Sequence, residues 1–126
     1  MTNKLRVMFL DDSPAERELA AEGAREFAPG IELLTVGTLA EAERDIVRFA
    51  PEVVLIDLHL GKWNGCDLLP QLQGTIGTVI LTTADDPAQA HRCLAAGALG
   101  FWVKPLRFAA FADLYARIHA LVPASE

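Results

Sequence analysis

Val53-Val54-Leu55-Ile56-Asp57-Leu58-His59-Leu60 is an apolar run with one carboxylate set into it, bounded by Pro51 upstream and Gly61 downstream. Four consecutive β-branched or leucine residues suit a strand buried on both faces, as a central strand of a parallel sheet must be. Asp57 then stands at the carboxyl end of that strand. In open α/β sheets this is the edge where ligands bind, because strand ends and the loops that follow them line a crevice there. Taken alone, Asp57 equally suits an aspartate capping the next loop.

Working outward, strand and helix signals alternate along the whole chain. Leu5 to Leu10 is an apolar run ending in Asp11-Asp12 and reads as the first strand. Ser13-Pro14-Ala15-Glu16 reads as a helix start, with serine as N-cap, proline at the first helical position and glutamate three residues after the cap. This helix should run to about Phe27 and stop before Pro29-Gly30. Ile31 to Val36 is the second strand. Thr38-Leu39-Ala40-Glu41 is another capping box, opening a helix through about Phe49 with Leu39, Ala42, Ile46 and Phe49 on its apolar face. After the central strand comes a loop through Gly61 and Gly65, a short helix from Cys66 to about Gln73, punctuation at Gly74 and Gly77, and a fourth strand from Thr78 to Thr82. Asp86-Pro87 caps a helix to Ala96 that Gly97 terminates. Gly100 to Val103 is the fifth strand, ended by Lys104-Pro105. A last helix carries Phe108, Phe111, Tyr115, Ile118 and Val122 at helical spacing.

The chain has 126 residues, 52% of them hydrophobic and 22% charged, which fits one domain spanning residues 1–126. No apolar run reaches the ~18 residues that would suggest a membrane span, and the amino terminus lacks a signal-peptide pattern, so a cytoplasmic location is expected. Cys66 and Cys93 form no CxxC and are expected as two unrelated reduced thiols. His59, His91 and His119 show no metal-ligand spacing. A net charge of −6 argues against non-specific nucleic-acid binding, which needs a basic face.

Strands alternating with helices at this spacing indicate an α/β fold, a parallel sheet covered on both faces. Five units fit a doubly wound, flavodoxin-like (βα)5 sheet of order 2-1-3-4-5, although the alternation alone does not derive that order uniquely. Its switch point lies between the first and third strands, where Asp11, Asp12 and Asp57 fall. At ~4 Å and an effective dielectric of ~20, each ionised pair of carboxylates costs about 4 kcal/mol. A hard divalent cation such as Mg²⁺ would compensate. The alternatives are that one aspartate is protonated, or that Asp11 and Asp12 are helix-start residues facing solvent. Thr82-Thr83 and Lys104 end the fourth and fifth strands on the same rim. Carboxylate, cation, hydroxyl and lysine are the parts needed to accept a phosphoryl group.

From Leu5 to about Leu121 the sequence resembles the receiver domain of two-component response regulators. The resemblance rests on Asp11-Asp12, Asp57, Gly65, Thr82 and Lys104-Pro105 in that order at family-like spacing. It implies that Asp57 is the phosphoacceptor for a phosphoryl group from a sensor histidine kinase or phosphotransfer protein. It implies that Mg²⁺ is held by Asp12 directly, Asp11 through water, Asp57, and the backbone carbonyl of His59. It further implies that Thr82, favoured over Thr83, is the switch hydroxyl, that Lys104 pairs with Asp57 and then with phosphate, and that Lys104-Pro105 is cis. Catalysis would be limited to the domain's own phosphorylation and dephosphorylation.

Two positions depart from the pattern. Gly61 stands where the family usually has proline, which suggests a more mobile loop. Phe101 stands at the aromatic switch position, more often tyrosine, so switching would rest on ring burial alone. Trp63 and Trp102 read as core packing in preference to a partner surface. The implied output is the face of the fourth helix, fifth strand and fifth helix, where Phe101, Trp102, Phe108 and Phe111 would favour self-association or a downstream protein target, with no direct nucleic-acid or membrane contact. A pseudo-receiver serving purely as a protein-binding module is the alternative. A phosphatase would want an acid where His59 stands, and a dinucleotide-binding domain would need a glycine fingerprint that is missing.

Overall fold

A computed structural model of the chain describes residues 4–72, 77–83 and 86–122. The five main strands are β1 (Leu5–Leu10), β2 (Ile31–Val36), β3 (Val53–Asp57), β4 (Gly77–Thr82) and β5 (Gly100–Val103). The helices are α1 (Pro14–Phe27), α2 (Leu39–Phe49), α3 (Gly65–Leu72), α4 (Pro87–Ala95) and α5 (Ala110–Leu121), of which α3 is wound as a 3₁₀ helix. All neighbouring strands run parallel in the order β2-β1-β3-β4-β5. This is the doubly wound, flavodoxin-like sheet that the alternation suggested.

The central strand is buried throughout, Val53 to Asp57, because helices cover both faces of the sheet. Alternate residues of each strand feed two cores. Met8, Leu10, Val54, Ile56 and Ile80 pack with the α3 leucines and the α2 face of Leu39, Ala42, Ile46 and Phe49. Val7, Phe9, Val53, Leu55, Val79 and Leu81 pack with Ala20 and Ala24 of α1 and with Phe111, Leu114, Tyr115 and Ile118 of α5. The two α-helical faces meet where the Tyr115 hydroxyl donates to the Ala20 carbonyl at 2.6 Å.

The helix starts follow their caps. Ser13 Oγ accepts from Glu16 N–H at 3.3 Å, Thr38 Oγ1 from Glu41 N–H at 3.1 Å, and Asp86 Oδ1 from Gln89 N–H at 3.2 Å. The reciprocal half of each expected capping box is not made. Glu41 accepts from Gly37 N–H at 2.7 Å, one residue before the cap, and Ser13 N–H goes to Asp11 Oδ1 at 2.8 Å, leaving Glu16 for another partner.

Several local expectations are corrected. The central run ends as a strand at Asp57, and His59–Leu60 turns into a two-residue hairpin with Trp63–Asn64. Pro70 lies inside α3, which is wound as a 3₁₀ helix. Cys66 and Cys93 are not unrelated. They sit in the same core with Cα atoms 5.1 Å apart and their sulfurs against each other. Lys104-Pro105 is trans, as are all peptide bonds among the described residues, the isomer preferred even before proline. Trp63 is half exposed on the hairpin instead of in the core. Phe108 precedes α5 and packs at a tilt against Phe27, ring centroids 5.0 Å apart. Gly74 and Gln73 lie outside the described residues.

Burial holds the Tyr115 phenol above its ordinary pKa. The native phenol therefore keeps its proton where the unfolded chain releases it, so stability falls as pH rises above about 10. Tyr115→Phe should lower stability at neutral pH by about 1 kcal/mol and flatten this alkaline loss. Urea midpoints of both proteins between neutral and alkaline pH test the pair of effects.

Candidate functional site

Parallel register carries the carboxyl ends of β1, β3, β4 and β5 to one edge of the sheet. Leu10 lies beside Ile56, Asp57 beside Leu81, and Thr82 beside Val103. The residues that follow these strands therefore converge, although they are far apart in the chain. Asp11 is fully buried, Asp57 nearly so, and Asp12 is exposed at the mouth. A carboxylate oxygen from each of Asp11, Asp12 and Asp57 lies within 4.8 Å of the others.

Lys104 enters from the end of β5. Its backbone N–H donates to the Thr82 carbonyl at 2.6 Å, and its buried side chain brings Nζ to 2.9 Å from Asp57 Oδ2 and 2.7 Å from Asp11 Oδ2. Glu16 Oε1, from the first turn of α1, closes on the same ammonium. Burial alone would lower the lysine pKa. The carboxylates of Asp11, Glu16 and Asp57 beside the ammonium outweigh it and hold the group above the ordinary lysine range. Burial raises the Glu16 carboxyl above the usual carboxylate range, partly offset by Lys104 and reinforced by Asp11.

Loop backbone completes the pocket. His59 N–H donates to Asp57 Oδ1 at 3.2 Å, and Gly61 N–H donates to Asp12 Oδ2 at 2.9 Å. Gly61 has φ +59°, in the left-handed region that glycine adopts without strain. Gly65 abuts the end of β3 so closely that a Cβ there would lie 2.7 Å from the Asp57 carbonyl oxygen. Thr82 is buried at the end of β4, whereas Thr83 faces solvent. Phe101 is half buried against the core that contains Ile80 and Cys93.

The side chains of Asp11, Asp12, Asp57 and Lys104 thus reach one rim, and Thr82 ends the neighbouring strand beside them. Glu16 is an addition that the sequence reading assigned to a helix cap. The rim gathers one ammonium and four carboxylates, so negative charge is in excess. The donor set is made of hard oxygens close enough to share an ion, and it fits a small divalent cation.

This constellation has relatives. Residues 7–118 match the family model of the response regulator receiver domain. The chain belongs to that family. Over 114 residues this receiver domain is 31% identical to the transcriptional regulatory protein DpiA of Escherichia coli K12, a match covering 86% of this chain and 49% of DpiA. It is 33% identical over 108 residues to protein-glutamate methylesterase/protein-glutamine glutaminase 6 of Anaeromyxobacter dehalogenans, covering 82% of this chain and 30% of that protein. The chain thus spans about half or less of the length of these curated relatives. Its fold is similar to that of a two-component response regulator from Clostridium difficile, with a TM-score of 0.81 at 18% identity over 94% of this chain and 96% of that one. Among the described residues no helix is long and apolar enough to cross a membrane.

The closeness of Gly65 to Asp57 makes the site sensitive to one methyl group. Gly65→Ala should cost about 1–3 kcal/mol of stability, because backbone on both sides must give way. A shifted His59 amide resonance together with a lower urea midpoint checks it.

Proposed function

We propose that this receiver domain accepts a phosphoryl group on Asp57 from a phosphohistidine of a sensor histidine kinase or phosphotransfer protein in the cytoplasm, and acts as a signalling switch. The observation that carries the reading is Lys104 Nζ, 2.9 Å from Asp57 Oδ2, with Asp11 and Asp12 against the same carboxylate. A carboxylate held beside a buried ammonium is oriented, and the positive charge is already placed where phosphoryl oxygens would gather. A divalent cation, Mg²⁺ by its preference for carboxylate oxygen, would be held by Asp11, Asp12, Asp57 and the His59 carbonyl, and would supply further positive charge for those oxygens.

In the transfer, an Asp57 oxygen forms a bond to phosphorus while the phosphorus–nitrogen bond of the donor breaks, and the electron pair leaves on the donor imidazole. Lys104 neutralises one equatorial oxygen and the Thr82 hydroxyl donates to another. Attack of water on phosphorus later returns the carboxylate and inorganic phosphate. Catalysis is confined to these two reactions on the domain itself.

Thr82 and Phe101 would relay the change. Drawing the Thr82 hydroxyl toward the phosphoryl group frees space beside the half-buried Phe101 ring. The output face is α4-β5-α5. Its apolar residues Leu94, Leu99, Val103 and Leu106 are each about half exposed or more, which suits a downstream protein target or a second copy of the domain. The aromatics expected to build this face divide: Phe101 packs on one core, Trp102 on the other under Arg117, Phe111 is buried, and Phe108 stays partly exposed beside Phe27. Aliphatic side chains, with Phe108, carry the surface.

Asp57→Asn, or removal of Mg²⁺ by chelation, should reduce labelling by a small acyl phosphate donor to background, as followed by intact mass. Undiminished labelling rejects the assignment, and wild-type protein that neither binds Mg²⁺ nor labels would leave a pseudo-receiver that only binds proteins. The carboxylate excess yields a second outcome. Asp12→Ala should raise the melting temperature without divalent cation, by relieving repulsion worth up to a few kcal/mol at about 4 Å. It should also abolish the further rise that Mg²⁺ produces in the wild type, both read by thermal denaturation.

A further inference from the structure

Glu16 occupies a place that its local sequence does not explain. Its position three residues after Ser13 suits it to accept from the Ser13 N–H, yet that N–H is taken by Asp11 Oδ1 at 2.8 Å. The glutamate turns inward to Lys104 Nζ instead. An ammonium has three N–H donors, and three carboxylates face this one: Asp11, Asp57 and Glu16. A phosphoryl oxygen arriving on Asp57 needs a place against this ammonium, so one of the carboxylates packed on it must yield.

The three are not equally able to do so. Asp11 is fully buried and also accepts from Ser13 N–H. Asp57 stays beside Lys104 because it is the group being esterified. Glu16 differs: the oxygen facing Lys104 is withdrawn from solvent, but 43% of its side chain is exposed. Rotation of its side-chain torsions carries the carboxylate into water without moving backbone.

We propose that Glu16 is a positioning residue that occupies Lys104 in the unphosphorylated domain and must be displaced before the lysine can bind the phosphoryl group, so that it slows phosphorylation and shortens the life of the phosphorylated state. The inference rests on Asp57 being the phosphoacceptor. It adds a cost to the transfer written above and changes no bond in it: the donor's bond to phosphorus breaks, Asp57 gains the phosphoryl group, and the leaving group keeps the electron pair. Glu16 takes no part in that exchange of bonds. It competes for the cation that supports it.

The test compares wild type with Glu16→Gln, Glu16→Asp and Glu18→Gln, labelled by a small acyl phosphate at saturating Mg²⁺. Glu18 is exposed on the same helix and reports any effect of bulk charge. Glu16→Asp keeps the charge but withdraws it by one methylene. Both Glu16 variants should label roughly threefold to fivefold faster than wild type, the size expected for a half-exposed ion pair, and should lose phosphate more slowly, while Glu18→Gln matches wild type. The Lys104 Nζ nitrogen resonance of the unphosphorylated protein should shift in both Glu16 variants.

Acceleration in Glu16→Gln but not in Glu16→Asp would assign the effect to charge alone and overturn the competition. So would unchanged rates in both, an unmoved Lys104 resonance, or weakened Mg²⁺ binding in Glu16→Gln, which would make Glu16 a cation ligand. Absence of labelling in the wild type would instead remove the phosphoacceptor reading on which the inference stands.

Discussion

The pocket is built around a buried ammonium. Lys104 is buried, and its charge is held there by carboxylates that would repel one another without it. Removing either sign leaves the other uncompensated in a region where Coulomb interactions are poorly screened. The lysine and the aspartates therefore specify each other's positions. The negative charge gathered there exceeds what one lysine can balance, and that excess is the physical basis of the proposed affinity for a hard divalent cation.

The sheet supplies this arrangement at little local cost. Parallel pairing sets every strand's carboxyl end at the same edge, so residues 11, 57, 82 and 104 need no special loops to meet. What does require special backbone is the segment just after Asp57. There the chain reverses through the His59–Leu60 hairpin and returns with Gly65 against the Asp57 carbonyl. The close return of α3 lets the end of β3 stay buried while its carboxylate faces the pocket.

Strand and helix order was legible in the sequence because burial on both sheet faces leaves unbroken apolar runs such as Val53 to Ile56, and because Ser13, Thr38 and Asp86 cap the helices they precede. The five rim residues were legible because each ends a strand. Less legible were features decided across the fold. Nothing in local pattern couples Cys66 to Cys93, 27 residues later. Trp63 looks like a core residue by composition, yet the hairpin that carries it stands at the rim. Glu16 matched a capping pattern, and a more favourable partner elsewhere in the fold, the buried Lys104, overrode it. The isomer at Lys104-Pro105 was likewise a matter of tertiary context, since both forms are open to an X-Pro bond.

Gly61 shows how a departure from a family pattern acquires physical content once the fold is known. A proline at this position would have neither the N–H that reaches Asp12 at 2.9 Å nor access to a φ of +59°. Glycine has both. The loop that the sequence suggested would be looser is thus tied at its centre to the most exposed carboxylate of the pocket. That tie is a single hydrogen bond at the mouth of the site, where water competes for both partners. It places the loop directly beside Asp12, so that a cation drawn to this carboxylate would sit next to the Gly61 amide. In this domain, then, the mouth of the site and the chain that leaves Asp57 answer to one carboxylate, a coupling that proline's missing N–H would preclude.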